Sequence, residues 1–301
     1  MASRVRIDDD GLMTRFVVVG LILFPAVAGA DDVAAPPSSV PPVTAPASTA
    51  PAPEASPFVT MFPQDGTTKV DIDAAYLFVK NNGGDTSTTV FRGDLFAQYV
   101  DPHSGLGGYA TIPFTHSSGD GMSVNSLGGL EVGGVFVRRL EEQSTSIVVH
   151  AGLVLPTVST DETSLVGLVS AVTRLPELYA TIPDAVTLRI GISPIFRSGP
   201  LFVRLDANFD ANLSAQNETE KPGFELDAGI GYDAGKVVVM AEVTNVILTG
   251  DNDSVTLDVA ALSARVDLGK VKPYAALTIP LDDDTRQIMN AAITVGLSAT
   301  P

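Results

Sequence analysis

In RLDANFD, residues 204–210, Arg204, Asp206, Asn208 and Asp210 occupy every second position. Glu225 and Asp227 repeat that spacing, as do Arg92 and Asp94, while Glu131, His150, Arg189, Glu242 and Asp258 stand singly in equally apolar surroundings. Two carboxylates can divide general acid and general base work, and carboxylates with histidine can hold a metal. Both chemistries need a further pattern that this sequence lacks. His103, His116 and His150 are far apart, and no GxSxG elbow occurs. GLGGYA, residues 105–110, has the form of a dinucleotide fingerprint, but strand-like alternation follows where a helix should open. Asp251-Asn252-Asp253 and Asp282-Asp283-Asp284 do not match a calcium loop. Neither an enzyme nor a cofactor or metal site is therefore expected. Charges at period two suit another task, the lining of a wet surface.

The element that places side chains at period two is a β-strand. Leu201, Val203, Leu205, Ala207, Phe209, Ala211 and Leu213 fill the alternate positions of the same stretch, so its two faces meet different surroundings. Phe224, Leu226, Ala228, Ile230 and Tyr232 likewise oppose Glu225, Asp227 and Asp233, and Phe91, Leu95 and Tyr99 oppose Arg92, Asp94 and Gln98. Strands are expected at about 67–79, 88–100, 105–115, 127–140, 145–157, 185–196, 200–213, 223–233, 236–248, 255–267, 271–281 and 287–298. Each has the ten or so residues that a tilted strand needs to cross a bilayer. The stretch 255–267 changes phase near Leu262, where a bulge is expected.

The links are short at DPHS, EEQS, RSG, DA and LGK and mostly longer in alternation with them, with both termini on the short-turn side. That is the pattern of a transmembrane barrel with an even strand count. Eight residues separate Phe91 from Tyr99, and Phe224 from Tyr232. At about 3.3 Å per residue this suits an aromatic anchor at each edge of an apolar band. The odd-numbered residues of 201–213 then face lipid, and closure follows because an open sheet edge would leave amides unpaired in hydrocarbon.

Net charge −17 argues against nucleic acid, and the absence of Cys excludes disulfides and thiolate sites. No run of about 18 uncharged apolar residues occurs in the body of the chain, so any crossing must be by strands. From Met13, MTRFVVVGLILFPAVAGA has the build of a signal peptide, expected over residues 1–30. The acidic IDDD of residues 7–10 points to Met13 as the start of translation. Residues 31–57, rich in Pro and Ala, read as a disordered periplasmic linker. Residues 58–301 are then the barrel.

GGYATIPF, SLGGLEVGGVFVRRL, SIVVHAGLVLPT, PGFELDAGIGYD and VKPYAALTIPLD resemble segments of Gram-negative outer-membrane β-barrel proteins, in particular the transporter-like and porin-like group. The likeness covers roughly residues 67–299 and implies fold and location without a substrate. The expectation is an all-β, antiparallel transmembrane barrel of about 12 strands in the outer membrane, a passive channel for small solutes. Its partners would be membrane lipid, those solutes and a periplasmic protein at the linker. The lumen-lining candidates carry eight acids (Asp94, Glu131, Asp206, Asp210, Glu225, Asp227, Glu242, Asp258) against Arg92, Arg189 and Arg204, with His150 and Asn208 beside them. Such a wall favours cations. An alternative of another class is a non-conducting barrel that anchors the envelope through its linker. Residues 158–184 remain open between three readings: a capped helix from Ser164 to Pro176 folded inward, an extracellular lid, or a further hairpin giving about fourteen strands.

Overall fold

The computed structural model describes residues 58–79, 89–119, 122–140, 144–158, 167, 169–213, 222–249 and 254–301. The leader and linker anticipated over 1–57, the Ser164 cap and the acids of 251–253 lie outside these residues.

Thirteen strand segments follow one another: β1 Lys69–Val79, β2 Thr89–Val100, β3 Leu106–Gly119, β4 Met122–Leu127, β5 Leu130–Leu140, β6 Thr145–Leu155, β7 Thr187–Ser198, β8 Leu201–Asn212, β9 Gly223–Asp233, β10 Val237–Leu248, β11 Val255–Val266, β12 Val271–Pro280 and β13 Met289–Ala299. Each pairs antiparallel with its neighbours, and β1 pairs with both β2 and β13, so the sheet closes on itself. β4 and β5 both lie along β3 and form one stave broken at Gly128–Gly129, which makes a closed barrel of twelve. The break has a local cause. Pro113 of β3 has no N–H to give, and the Gly129 N–H turns instead to Ala180 O at 2.6 Å.

Alternation sets the two faces. Leu201, Leu205, Leu226 and Ile230 are exposed on the outside, while Arg204, Asp206, Glu225 and Asp227 are buried inside. Outward aromatics gather at two heights. Tyr76 and Phe78, Phe91 and Phe114, and Phe209 and Phe224 form ring pairs 5.0–6.1 Å apart near the long-loop rim. Tyr99, Phe136, Phe196 and Tyr232 stand exposed towards the short-turn rim. An apolar, aromatic-edged exterior around a charged interior is the arrangement of a transmembrane barrel. Tight turns at that rim use Gly199, Gly235 and Gly269 at φ 57, 86 and 88°, where a Cβ would be strained. In the β2–β3 turn, the Ser104 hydroxyl and the His103 backbone N–H hold the Asp101 carboxyl down at about 2.

Three expectations are corrected. The loop anticipated between residues 115 and 127 is largely strand, because β3 runs on to Gly119 and β4 returns along it. β11 needs no bulge: its register with β10 is unbroken from Val255 to Val266, and Leu257 and Val259 simply point inward. The change of phase marks an apolar patch of the interior. Pro176 does not end a helix but begins the 3-10 segment Leu175–Thr181.

That interior is filled by the chain itself. Residues 58–65 are buried throughout, and so are residues 170–180. The first insert packs Phe58 and Met61 with Phe202, Val238 and Met240 near the short-turn end. The second packs Val172, Leu175 and Leu178 against Leu77, Val90, Val246, Val259 and Met289 near the long-loop end. Inward glycines of β9 make the room: a Cβ on Gly229 would lie 2.4 Å from the Phe58 ring, and one on Gly223 2.4 Å from the Tyr179 hydroxyl.

The close approach of β2 and β3 is testable. A Cβ on Gly107 would stand 1.9 Å from the Tyr99 carbonyl oxygen, whereas one on Gly108 meets nothing nearer than 3.4 Å. Gly107→Ala should destabilise the barrel by about 1–3 kcal/mol, and Gly108→Ala should be nearly neutral, read as urea midpoints of detergent-folded protein.

Candidate functional site

Twelve of the thirteen anticipated lining residues are buried on the inward face: Arg92, Asp94, Glu131, His150, Arg189, Arg204, Asp206, Asn208, Asp210, Glu225, Asp227 and Glu242. Asp258 is the exception. Inward positions of β11 are odd-numbered, so Asp258 lies on the outer face near the long-loop rim, bonded to Asn245, with its backbone N–H donating to Asp282 Oδ2 at 2.6 Å. Asp282 also caps the short helix Asp283–Ile288 by accepting from the Thr285 N–H, a structural use of an acidic loop.

Other interior charges escaped the sequence reading. Lys69, Asp71 and Asp73 on β1, Arg265 on β11, Lys272 on β12, and Asp65, Arg174 and Glu177 on the inserts are all buried. The alternation KVDIDAAY did carry a signal for the β1 group, but no periodicity marks a charge on an insert. The described interior thus holds eleven carboxylates against seven cations, an excess of four rather than five.

Most of these charges are paired, and the pairs hold the inserts. Arg92 contacts Asp94 at 2.7 Å and reaches across to Glu177 of the second insert. Arg174 of the same insert meets Asp73 at 2.9 Å and Glu177 at 3.2 Å, and Tyr274 donates to Asp73 at 3.0 Å. Its Nε donates to Val59 O at 2.9 Å, so one guanidinium ties the two inserts together. The first insert is fixed again by Glu242, whose Oε2 accepts from the N–H groups of Val59 and Thr60 at 2.9 and 2.7 Å.

Arg189 is wholly buried and the most connected residue of the wall. It reaches Glu131 at 2.6 Å and Asp210 at 2.8 Å, donates to Pro176 O, and lies 4.5 Å from the centre of the Phe62 ring. Tyr109 completes the group by donating to Glu131 at 2.7 Å. One side chain thereby links β5, β7, β8 and both inserts.

A second neighbourhood is less satisfied. Arg204 serves Asp206 at 2.7 Å, but among the described residues Glu225 and Asp227 have no basic partner. Asp227 stands directly across from Asp206, and Glu225 across from Asn208. Over Gly191, the Asn208 amide and the His150 ring meet so closely that a Cβ there would touch both. Among the described residues, both His150 ring nitrogens lack a hydrogen-bond partner. Like charges directly opposed cost stability. Among the described residues no group of three or more His, Asp and Glu is placed to hold a metal.

No protein-family model and no curated protein matches the chain. Solved structures do resemble it. An outer membrane channel from Pseudomonas putida F1 superposes with TM-score 0.56 at 11% identity, covering 81% of this chain and 98% of the other. The NanC porin gives TM-score 0.50 at 8% identity, covering 77% of this chain and all of its own. The chain has the fold of outer-membrane porins and channels.

Because Arg189 serves two carboxylates away from water, removing it strands both. Arg189→Met should cost about 3–5 kcal/mol, seen as a lower guanidinium midpoint. Adding Glu131→Gln and Asp210→Asn should restore much of the loss, since a paired charge set replaced as a whole is often nearly neutral.

Proposed function

We propose that the chain is an outer-membrane channel for small solutes that carries its own closure. The observation behind this reading is a barrel of twelve staves whose interior is occupied by two segments of chain rather than by its own wall side chains alone. A ring of this size is intermediate between eight-stranded barrels, filled by side chains, and sixteen-stranded pores. Residues 1–30 act as the cleavable signal peptide. Residues 31–57 lead from the periplasm, where a partner protein meets them, to the first insert. Passage follows displacement of an insert, and the exposed wall then prefers cations through its surplus carboxylates. No catalysis is involved. The fold shared with a known outer membrane channel supports the class of function but not the solute.

The filled interior equally suits a non-conducting barrel that anchors the envelope, and conductance separates the two. Planar bilayers should show wild-type protein mostly silent, and Arg174→Ala with Glu177→Ala should raise open probability at least tenfold. If both proteins stay silent at all voltages, the anchor reading stands and the channel fails.

Selectivity follows from the unpaired acids. In a KCl gradient the opened barrel should prefer K+ at low salt, with the preference fading near about 1 M as the Debye length shrinks to about 3 Å. Glu225→Gln with Asp227→Asn should shift the reversal potential towards zero without unfolding the barrel. Asp206 and Asp210 are poorer choices, since each already pairs with an arginine.

A further inference from the structure

The two inserts seat in different parts of the interior. Phe58 and Met61 pack near the short-turn end, and Val172, Leu175 and Leu178 pack near the long-loop end. Each has its own hold on the wall. Glu242 accepts from the Val59 and Thr60 N–H groups of the first insert, while Arg92 reaches Glu177 and, at 3.2 Å, Thr173 of the second. Two arginines touch both inserts at once. Arg174, on the second insert, donates from Nε to Val59 O of the first at 2.9 Å and holds Asp73 of β1 at 2.9 Å. Arg189, on β7, donates to Pro176 O of the second insert and lies 4.5 Å from the centre of the Phe62 ring of the first. Both arginines, Val59, Phe62 and Pro176 are buried.

A contact between the inserts is broken once, by whichever segment leaves first. The other segment is then held by its wall contacts alone, so its departure is easier by whatever the shared contact contributed. The bond from Arg174 to Val59 O has a charged donor and lies away from water, which puts it among the stronger hydrogen bonds. Arg189 adds to it indirectly, because the Pro176 carbonyl helps to fix the guanidinium that lies over the Phe62 ring.

We propose that the inserts form one two-ended closure in which drawing out either segment loosens the other, with Arg174 as the link. This coupling rests on the channel reading and deepens it: the two rims of the barrel sense one another through the lumen. A molecule that takes hold of the first insert at the short-turn end eases release at the long-loop end, and the reverse holds to the same degree.

The test uses the full-length mature chain, which has no Cys of its own, so Met61→Cys and Val172→Cys each place a single thiol on one insert. Coupling a poly(ethylene glycol) maleimide to that thiol in urea, followed by refolding in nonionic detergent, makes the insert too bulky to return to its seat. Amide hydrogen exchange then reads the other insert, through the bonded N–H groups of Arg174 and Glu177 in the second and of Val59 and Thr60 in the first. Polymer at residue 61 should speed exchange over residues 170–180 by about tenfold or more, and polymer at residue 172 should speed exchange over residues 58–65 by a matching factor. Strands β9 and β10 should keep their protection, which separates release of an insert from unfolding of the wall. Arg174→Lys keeps a charge for Asp73 and Glu177 but lacks the Nε donor, and in that variant the transmitted effect should fall below about threefold. Where a polymer-bearing barrel fails a heat-modifiable mobility check, a small sulfonated methanethiosulfonate on the same thiol takes its place. Unchanged exchange in one segment while the other is held out would overturn the single closure. So would loss of strand protection with both labels, since the inserts would then belong to the fold of the wall. A transmitted effect that survives Arg174→Lys would remove Arg174 as the link. Exchange is read without membrane or voltage, so matched exchange in a barrel that stays silent keeps the coupling and sinks the channel, and conductance without transmitted exchange does the opposite.

Discussion

Every backbone amide of a strand in hydrocarbon must find its partner within the protein, and this requirement shapes the molecule more than any side chain does. β1 meets it by pairing with β13 along Val70 to Val79, which turns a meander of hairpins into a ring. Once the ring is closed, alternate residues have only two destinations. Leu205 and Leu226 go to lipid, while Asp206 and Asp227 go inside. The lapse in the ladder opposite Pro113 is met by a bond from Gly129 to the second insert rather than left open.

Charge inside such a ring has to be satisfied without bulk water. Buried ion pairs seldom add much net stability, but removing one partner is expensive. The interior uses this asymmetry to hold its inserts. Arg92 and Arg174 connect wall carboxylates to Glu177, and Arg189 connects Glu131 and Asp210 to the Pro176 carbonyl. Apolar clusters around Phe58 and Leu175 complete the packing towards either end. Among the described residues, Glu225 and Asp227, with Asn208 and His150 nearby, have no ion pair to a basic side chain.

Similarity to known barrels below 15% identity reflects the same physics. A tilted strand in a bilayer needs about ten residues with an apolar outer face, and many sequences supply that. Shared architecture therefore says little about cargo. Here the two inserts, held by ion pairs and apolar contacts, are what fill the interior.

The strands were legible from sequence because period two is a local property. LFVRLDANFDAN declares both faces without reference to the rest of the chain, and short turns such as AGK and LGK carry their own glycines. Antiparallel order and the inward direction of Arg204, Asp206 and Glu225 followed from that pattern and the alternating link lengths, while the strand number stayed open between about twelve and about fourteen. Asp258 shows its limit: a charge near a rim can turn outward to cap a neighbour, and alternation was read through Leu257 and Val259 as a break rather than as an apolar patch inside. What fills the barrel lay beyond local reading altogether. Phe58–Asp65 and residues 170–180 have no period, and their burial depends on glycines of β9 and on arginines of β2 and β7 far away in sequence. The amino-acid order thus determined the wall, since each strand answers only to lipid on one side and the lumen on the other. Only the tertiary structure decided whether the lumen was open, because that depends on long-range contacts that form after the ring has closed.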